Sequence, residues 1–283
     1  KRNLIMNKKL FALYGLKYNP FSSEVPIEAI YSHPPLDSFC WRIENVLLSE
    51  GGFALVSGDP GTGKSVALRL IADRLKNIRD VHLGIITHPS AKVSDFYREL
   101  GDIFGVSFSA SNRWSGFKNL RDRWISHLQS TLLRPVLFID EAQEMPLVVL
   151  SELRTLVSMN FDSRVLLSVI LSGDQRLNNQ LRRDELLPLG SRIKMRFNTE
   201  YASVEQLRSC LEHMLMNAGN PNLMTPELMQ MLCEHSMGNY RALCTMAGEL
   251  LAAALQQERT QIDEKLYFEC FAPPASKNPR KKP

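Results

Sequence analysis

Nowhere in the 283 residues does an apolar run approach the roughly 20 residues needed to cross a bilayer, and no leader-type apolar segment is present. A membrane-spanning or secreted class is therefore not expected. The five cysteines (Cys40, Cys210, Cys233, Cys244, Cys270) are odd in number and never spaced C-x-x-C. That pattern argues against a disulfide frame and for buried thiols in a reducing cytosol, so a cytoplasmic location is expected. The six histidines include no H-x-x-x-H pair. Cys210 with His213, and Cys233 with His235, are neighbours in sequence but match no usual zinc spacing. Charge of neither sign dominates: 34 Lys and Arg face 30 Asp and Glu, for a net +4 and a pI near 8.8. This is compatible with a nucleic-acid partner without requiring one. Internal repeats are also lacking. Hydrophobic content of 44% and charged content of 23% are ordinary for one large globular domain or two of moderate size.

Against these absences stands one complete motif. Residues Gly58-Asp59-Pro60-Gly61-Thr62-Gly63-Lys64-Ser65 read G-x-x-x-x-G-K-[ST]. An apolar, β-prone run, Phe53–Ser57, precedes it. Val66 follows it and opens a segment in which Ala67, Leu70, Ile71 and Leu75 fall at helical spacing. A strand, a glycine-rich loop and a helix are the context this motif requires. The glycines allow successive N–H groups to turn inward around phosphate oxygens, and the helix N-terminus adds positive potential. Lys64 is expected to reach the β- and γ-phosphates, and the Ser65 hydroxyl to ligate Mg²⁺. A nucleoside triphosphate, ATP, is the expected ligand, and Mg²⁺ the only metal.

A second motif, Pro135-Val136-Leu137-Phe138-Ile139-Asp140-Glu141, ends a buried-type strand in two acids. Ligands of parallel sheets sit at the carboxyl ends of strands, which places Asp140 near the loop as a metal-holding carboxylate. Glu141 is then placed to orient and deprotonate a water. An acid pair at a strand end is also a common way into a helix N-cap. The preceding loop motif favours the catalytic reading, and the Asp-Glu pair points to hydrolysis.

Strand candidates Phe53–Ser57, Val81–Thr87, Val136–Ile139, Val165–Leu171 and Ile193–Phe197 alternate with helical patterns, predicting an α/β fold with a five-stranded parallel sheet covered on both faces. An aromatic-rich arm (Leu10–Phe21) precedes a first helix at about Leu36–Ser49. After Ala202 only helical patterns remain: Val204–Asn217, Pro226–Cys233, Tyr240–Gln256 and Glu264–Phe271. The expected division is 1–50 for the arm and first helix, 51–200 for the nucleotide domain, 201–273 for a small all-α lid, and 274–283 for a basic, disordered tail.

This layout resembles the P-loop AAA+ ATPases. Ser172, in Val169-Ile170-Leu171-Ser172-Gly173-Asp174-Gln175, sits where that family places its sensor I residue, although many members have Asn there. Leu189-Gly190-Ser191-Arg192-Ile193 is similar to the stretch carrying the arginine finger, which makes Arg192 the candidate and Arg196 the fallback. Gly238-Asn239-Tyr240-Arg241 matches the start of the lid helix that carries sensor II, Arg241. The resemblance implies that these cations neutralise charge on the γ-phosphoryl oxygens, the finger acting in trans within a homo-oligomeric ring or filament. A surface ion pair is the alternative for each.

At finer grain, Tyr14-Gly15-Leu16…Asn19-Pro20-Phe21 and Leu171-Ser172-Gly173-Asp174-Gln175-Arg176-Leu177 resemble signatures of the ExeA/GspA-like branch. Secretion-type members of that branch carry a membrane helix and a peptidoglycan-binding domain after the ATPase. A chain that ends after the lid is more similar in layout to the transposon regulators of the TnsC, TniB and IstB type. The resemblance implies assembly on double-stranded DNA and direction of a transposase or target-selection protein. The alternative is an ATPase of a type II secretion or envelope-assembly system.

Basic positions bear on this choice. Around Trp114, the residues Arg113, Lys118, Arg121 and Arg123 lie off the stripe formed by Phe117, Leu120, Trp124 and Leu128. The stripe reads as core, and the cations fit either phosphate contacts or a solvated face. Lys92, after the second strand, and the tail Lys277–Pro283 are further candidates. A nucleotide switch with little turnover is a third reading, and the intact Glu141 argues against it.

Overall fold

A computed structural model of the chain describes residues 2–107, 113–159 and 164–271. In chain order, helix α1 (Arg2–Tyr14) is followed by α2 (Pro34–Arg42), which continues through a π-helical turn (Ile43–Leu47) into α3 (Leu48–Glu50). Next come β1 (Gly52–Gly58), α4 (Lys64–Lys76), β2 (Val81–Ile86), α5 (Val93–Phe104), α6 (Arg113–Ser126) and β3 (Arg134–Ile139). Then follow α7 (Leu147–Val157), β4 (Ser158–Met159), β5 (Arg164–Val165), β6 (Ser168–Gly173), α8 (Gln175–Leu181), α9 (Leu187–Gly190) and β7 (Ile193–Thr199). Four helices close the described chain: α10 (Val204–Ala218), α11 (Pro226–His235), α12 (Tyr240–Gln256) and α13 (Glu264–Phe271). Among the described residues no helix is long and apolar enough to cross a membrane. The basic tail lies outside the described residues.

The chain forms two compact units, residues 32–200 and residues 1–31 together with 201–283. In the first, five strands pair in parallel in the order β2-β3-β6-β1-β7. The expected five-stranded α/β sheet is present. Its central strands β1, β3 and β6 are apolar and buried along almost their whole length, as strands covered on both faces must be. One face packs Leu55, Leu137, Ile139, Val169 and Leu171 against α5, α6 and α7. Within α6, Leu120 and Trp124 are fully buried, and the Trp124 ring meets Phe104 edge to face at 5.3 Å. Phe117 and Leu128 pack on this cluster more shallowly, so the expected stripe is core. Trp114 is different: it is 72% exposed and stacks on Phe117.

Two local expectations change. The strand expected over Val165–Leu171 is divided: Arg164–Val165 pairs antiparallel with Ser158–Met159, and β6 begins only at Ser168. The apolar run hides this break, because Leu166 and Leu167 are buried core residues that belong to neither strand. The aromatic-rich arm is helical up to Tyr14. Leu10 and Tyr14, four residues apart, bury one face, and Gly15 ends the helix at φ +68°, where its N–H bonds the Phe11 carbonyl.

The second unit has its own core, in which Leu10, Tyr14 and Leu16 join Leu207, Leu211, Leu228, Leu250 and Leu266. Residues 1–50 are thus divided between the units, the arm going with the terminal helices and α2 with the sheet. The helix starts are well specified. Ser203 and Gln206 form a capping box at α10, Thr225 caps α11, and the Asn239 side chain accepts from the N–H groups of Arg241 and Ala242 at α12.

Candidate functional site

The candidate site is built on the loop between β1 and α4. Gly61 and Gly63 take φ of +84° and +103°, a region closed to most side chains, which lets the chain double back before Lys64 starts α4. Gly58 lies against β7, and a Cβ there would come within 2.3 Å of the Thr199 carbonyl oxygen. Thr199 fastens the loop: its hydroxyl donates to the Ser57 carbonyl at 3.2 Å and lies 2.6 Å from the Thr62 hydroxyl. Thr62 in turn donates to the Asp59 carbonyl at 2.7 Å. The Lys64 side chain is only 7% exposed, and its ammonium donates to the carbonyls of Gly58 (2.9 Å) and Asp59 (3.1 Å). A cation is therefore held against the inner edge of a loop whose peptide groups are turned by glycines. That arrangement suits phosphate oxygens.

Asp140 and Glu141 lie at the carboxyl end of β3, which is separated from β1 by β6. Two strand spacings are roughly 10 Å. The loop and the start of α4 span this gap, and the Ser65 hydroxyl donates to Asp140 Oδ2 at 3.2 Å. A hydroxyl and a carboxylate in contact beside Lys64 are hard oxygen donors of the kind Mg²⁺ takes, so these residues fit the ion. Glu141 occupies the left-handed region (φ +51°), a conformation that costs a non-glycine residue about 1–2 kcal/mol. Its N–H bonds Asp140 Oδ1 at 2.9 Å, which offsets part of that cost. Strain of this kind concentrates at functional sites. Here it turns an exposed carboxylate away from the strand line, one residue past the metal-type ligand.

At the end of β6, Ser172 is completely buried, and its hydroxyl has no hydrogen-bond partner among the described residues. Two residues on, Asp174 caps α8 through the Arg176 N–H at 2.8 Å. Its carboxylate and that of Glu144 each meet the Arg176 guanidinium at 2.9 Å. Burial opposes ionisation of Asp174, but the Arg176 hydrogen bonds and charge, with Lys64 adding to them, outweigh it and hold its carboxyl below the usual range. Lys64 thus acts electrostatically on this strand end as well as on the loop.

Gln143, Asp174 and Thr199 were not among the expected site residues. Gln143 is 5% exposed, two residues past Glu141, and its amide nitrogen donates to Glu141 Oε2. A single polar residue in a three-residue turn gives no periodic signal, and its burial shows only in three dimensions.

The remaining candidates lie on other elements. Arg192 follows α9 and donates to the Pro188 carbonyl at 2.7 Å; Arg196, on β7, donates to the Gly190 carbonyl at 3.1 Å. Arg241 is exposed in the first turn of α12, in the other unit. Lys92 is exposed immediately before α5, and Lys118 and Arg123 are exposed on α6. Arg121 is half-buried, lies over the Phe117 ring at 5.1 Å and donates to the Thr155 carbonyl. The Arg113 side chain lies outside the described residues.

Residues 47–181 match the AAA domain family. Over 253 residues the chain is 29% identical to the general secretion pathway protein A of Aeromonas hydrophila. That match covers 88% of this chain and 45% of the relative, so the chain spans less than half of the relative's length. Among solved structures, Cdc6p from Pyrobaculum aerophilum aligns with a TM-score of 0.67 and 18% identity, covering 86% of this chain and 67% of that one. The Aeropyrum pernix ORC1 protein, solved in complex with DNA, aligns with a TM-score of 0.66 and 16% identity over 88% of this chain and 67% of that one. At such identities the likeness establishes the fold, a P-loop AAA+ fold.

Proposed function

We propose that the chain is an ATP-hydrolysing AAA+ regulator that assembles on double-stranded DNA and directs a transposase. The observation that carries hydrolysis is the contact of Ser65 with Asp140, with the Glu141 carboxylate one residue away. Ser65 and Asp140 would hold Mg²⁺, which supplies charge neutralisation at the β- and γ-phosphate oxygens. Gly61, Gly63 and Lys64 bind and orient the phosphates. Glu141 takes a proton from the attacking water at a carboxylate oxygen. Arg192, from a neighbouring copy, and Arg241 are assigned to the charge that spreads over the γ-phosphoryl group, with Ser172 as the sensor at the end of β6.

Support for DNA comes from the exposed cations Lys92, Lys118 and Arg123 and from the net positive charge. An assembly repeats each of them along one duplex, so modest charge per copy sums to a salt-dependent affinity. A second reading, an ATPase of a secretion or envelope-assembly system, is favoured by the match to the Aeromonas protein. Fluorescence anisotropy with a labelled duplex separates the two. The DNA reading expects binding with a non-hydrolysable ATP analogue, loss of it with ADP, a steep fall with salt and little dependence on sequence. No nucleotide-dependent binding even at low salt overturns it in favour of the secretion-type reading.

A further inference from the structure

We infer that Gln143 is the positioning residue for Glu141, tying the water-activating carboxylate to the end of β6; this rests on the hydrolytic reading above. Gln143 sits in the short 3₁₀ turn Ala142–Glu144 with its side chain buried. Its amide is used at both ends. Nε2 donates to Glu141 Oε2, and Oε1 accepts the Asp174 backbone N–H at 3.3 Å. The orientation of the amide follows from its partners: a backbone N–H only donates, so it must face the oxygen. A carboxylate only accepts, so it must face the nitrogen. The main chain of Gln143 is fixed as well, because its carbonyl accepts the Gln180 side-chain amide from α8 at 3.0 Å. Gly173 is the residue that admits this approach, since a Cβ there would lie 2.5 Å from Gln143 Oε1.

The arrangement has two consequences. With Oε2 held by a donor that cannot change protonation state, proton acceptance from water falls to Oε1, whose direction is set by the Gln143 amide. And because the anchor is the backbone of Asp174, a shift at the end of β6 moves Glu141 with it. The end of β6 therefore bears on the aim of the base through the Asp174 backbone and the Gln143 amide. The other charged groups in this corner do not compete for the role. Arg176 is engaged by Asp174 and Glu144, Asp140 by Ser65, and Lys64 by the loop carbonyls.

The test compares the full chain with Gln143→Met, which keeps side-chain length and removes both polar ends, and with Gln143→Glu, which keeps an acceptor opposite Asp174. Affinity for a fluorescent ATP analogue and KM should stay within about threefold of wild type in Gln143→Met, while kcat falls about 10- to 100-fold, the scale of a misaimed catalytic group. In Gln143→Glu the donor to Glu141 is lost and a second carboxylate faces it, so kcat should fall at least as far as in Gln143→Met while affinity for the ATP analogue is kept. Gln143→Asn, one methylene shorter, should recover part of the kcat lost in Gln143→Met. Wild-type kcat in Gln143→Met, or in a folded Gln143→Glu, overturns the positioning role alone. Absence of ATP turnover by the wild-type chain, with and without duplex DNA, overturns the hydrolytic reading and this inference together.

Discussion

Replacing Gly58 with Ala tests how closely the phosphate loop is fitted to the sheet. The added Cβ would lie 2.0 Å from the Thr199 hydroxyl oxygen and 2.3 Å from the Thr199 carbonyl oxygen. The hydroxyl can rotate away, but the carbonyl cannot, because Thr199 pairs with Gly58 in the β1–β7 register. A carbon needs roughly 3.3 Å from a carbonyl oxygen, so β7 must retreat by about 1 Å at its end. That retreat breaks the bonds from Thr199 to Ser57 and Thr62, each worth about 0.5–1.5 kcal/mol. Overpacking adds about 1–3 kcal/mol. A loss near 4 kcal/mol corresponds to a fall in Tm of about 8–16 °C for a unit of this size. The assay is thermal unfolding with and without MgATP, which at about a hundred times its Kd should stabilise the wild type by about 2.7 kcal/mol. Gly58→Ala should show both the lower Tm and no response to nucleotide. As a contrast, Gly63→Ala brings its Cβ within 4 Å of no atom of the described residues and costs the left-handed backbone, about 1–2 kcal/mol. A Gly58→Ala protein with the wild-type Tm and the full nucleotide response would refute the packing described for this loop.

A finger acting in trans requires two copies: Arg192→Ala and Lys64→Ala should each lack turnover, while an equimolar mixture regains part of it. A mixture that co-assembles and stays inactive removes Arg192 from that role. Burial pushes the Cys210 thiol up to about 12 and those of Cys40, Cys233 and Cys244 up to about 11, whereas Cys270 is exposed. A thiol reagent at pH 8 should therefore label Cys270 first, the half-buried Cys244 more slowly, and Cys40, Cys210 and Cys233 only on unfolding. Fast labelling of Cys210 in the folded protein contradicts the packing of α10.

The elements that form the candidate site are largely legible because its parts are local. The loop, its flanking strand and helix, and the acid pair each occupy a few consecutive residues, and parallel-sheet geometry brings their ends together. The expected spans of α12 and α13 agree with the structure residue for residue, since both carry strong helical patterns, and Asn239 marks the start of α12. Legibility stopped where a role depends on a partner far along the chain. Thr199 acts through Thr62, 137 positions away, and Gln143 through Asp174, 31 positions away. Neither pairing leaves a periodic trace. The break before β6 was hidden for a related reason: buried coil and buried strand are equally apolar in the run Val165–Leu171.

In the proposed mechanism Asp140 and Glu141 divide the work, one holding the metal and the other activating water. The direct measurement is the Kd for a fluorescent ATP analogue and kcat for ATP hydrolysis in wild type and Glu141→Gln under the same conditions. Division of labour predicts a Kd within about threefold and a kcat lower by about 100-fold or more. Hydrolysis by Glu141→Gln at the wild-type rate contradicts it.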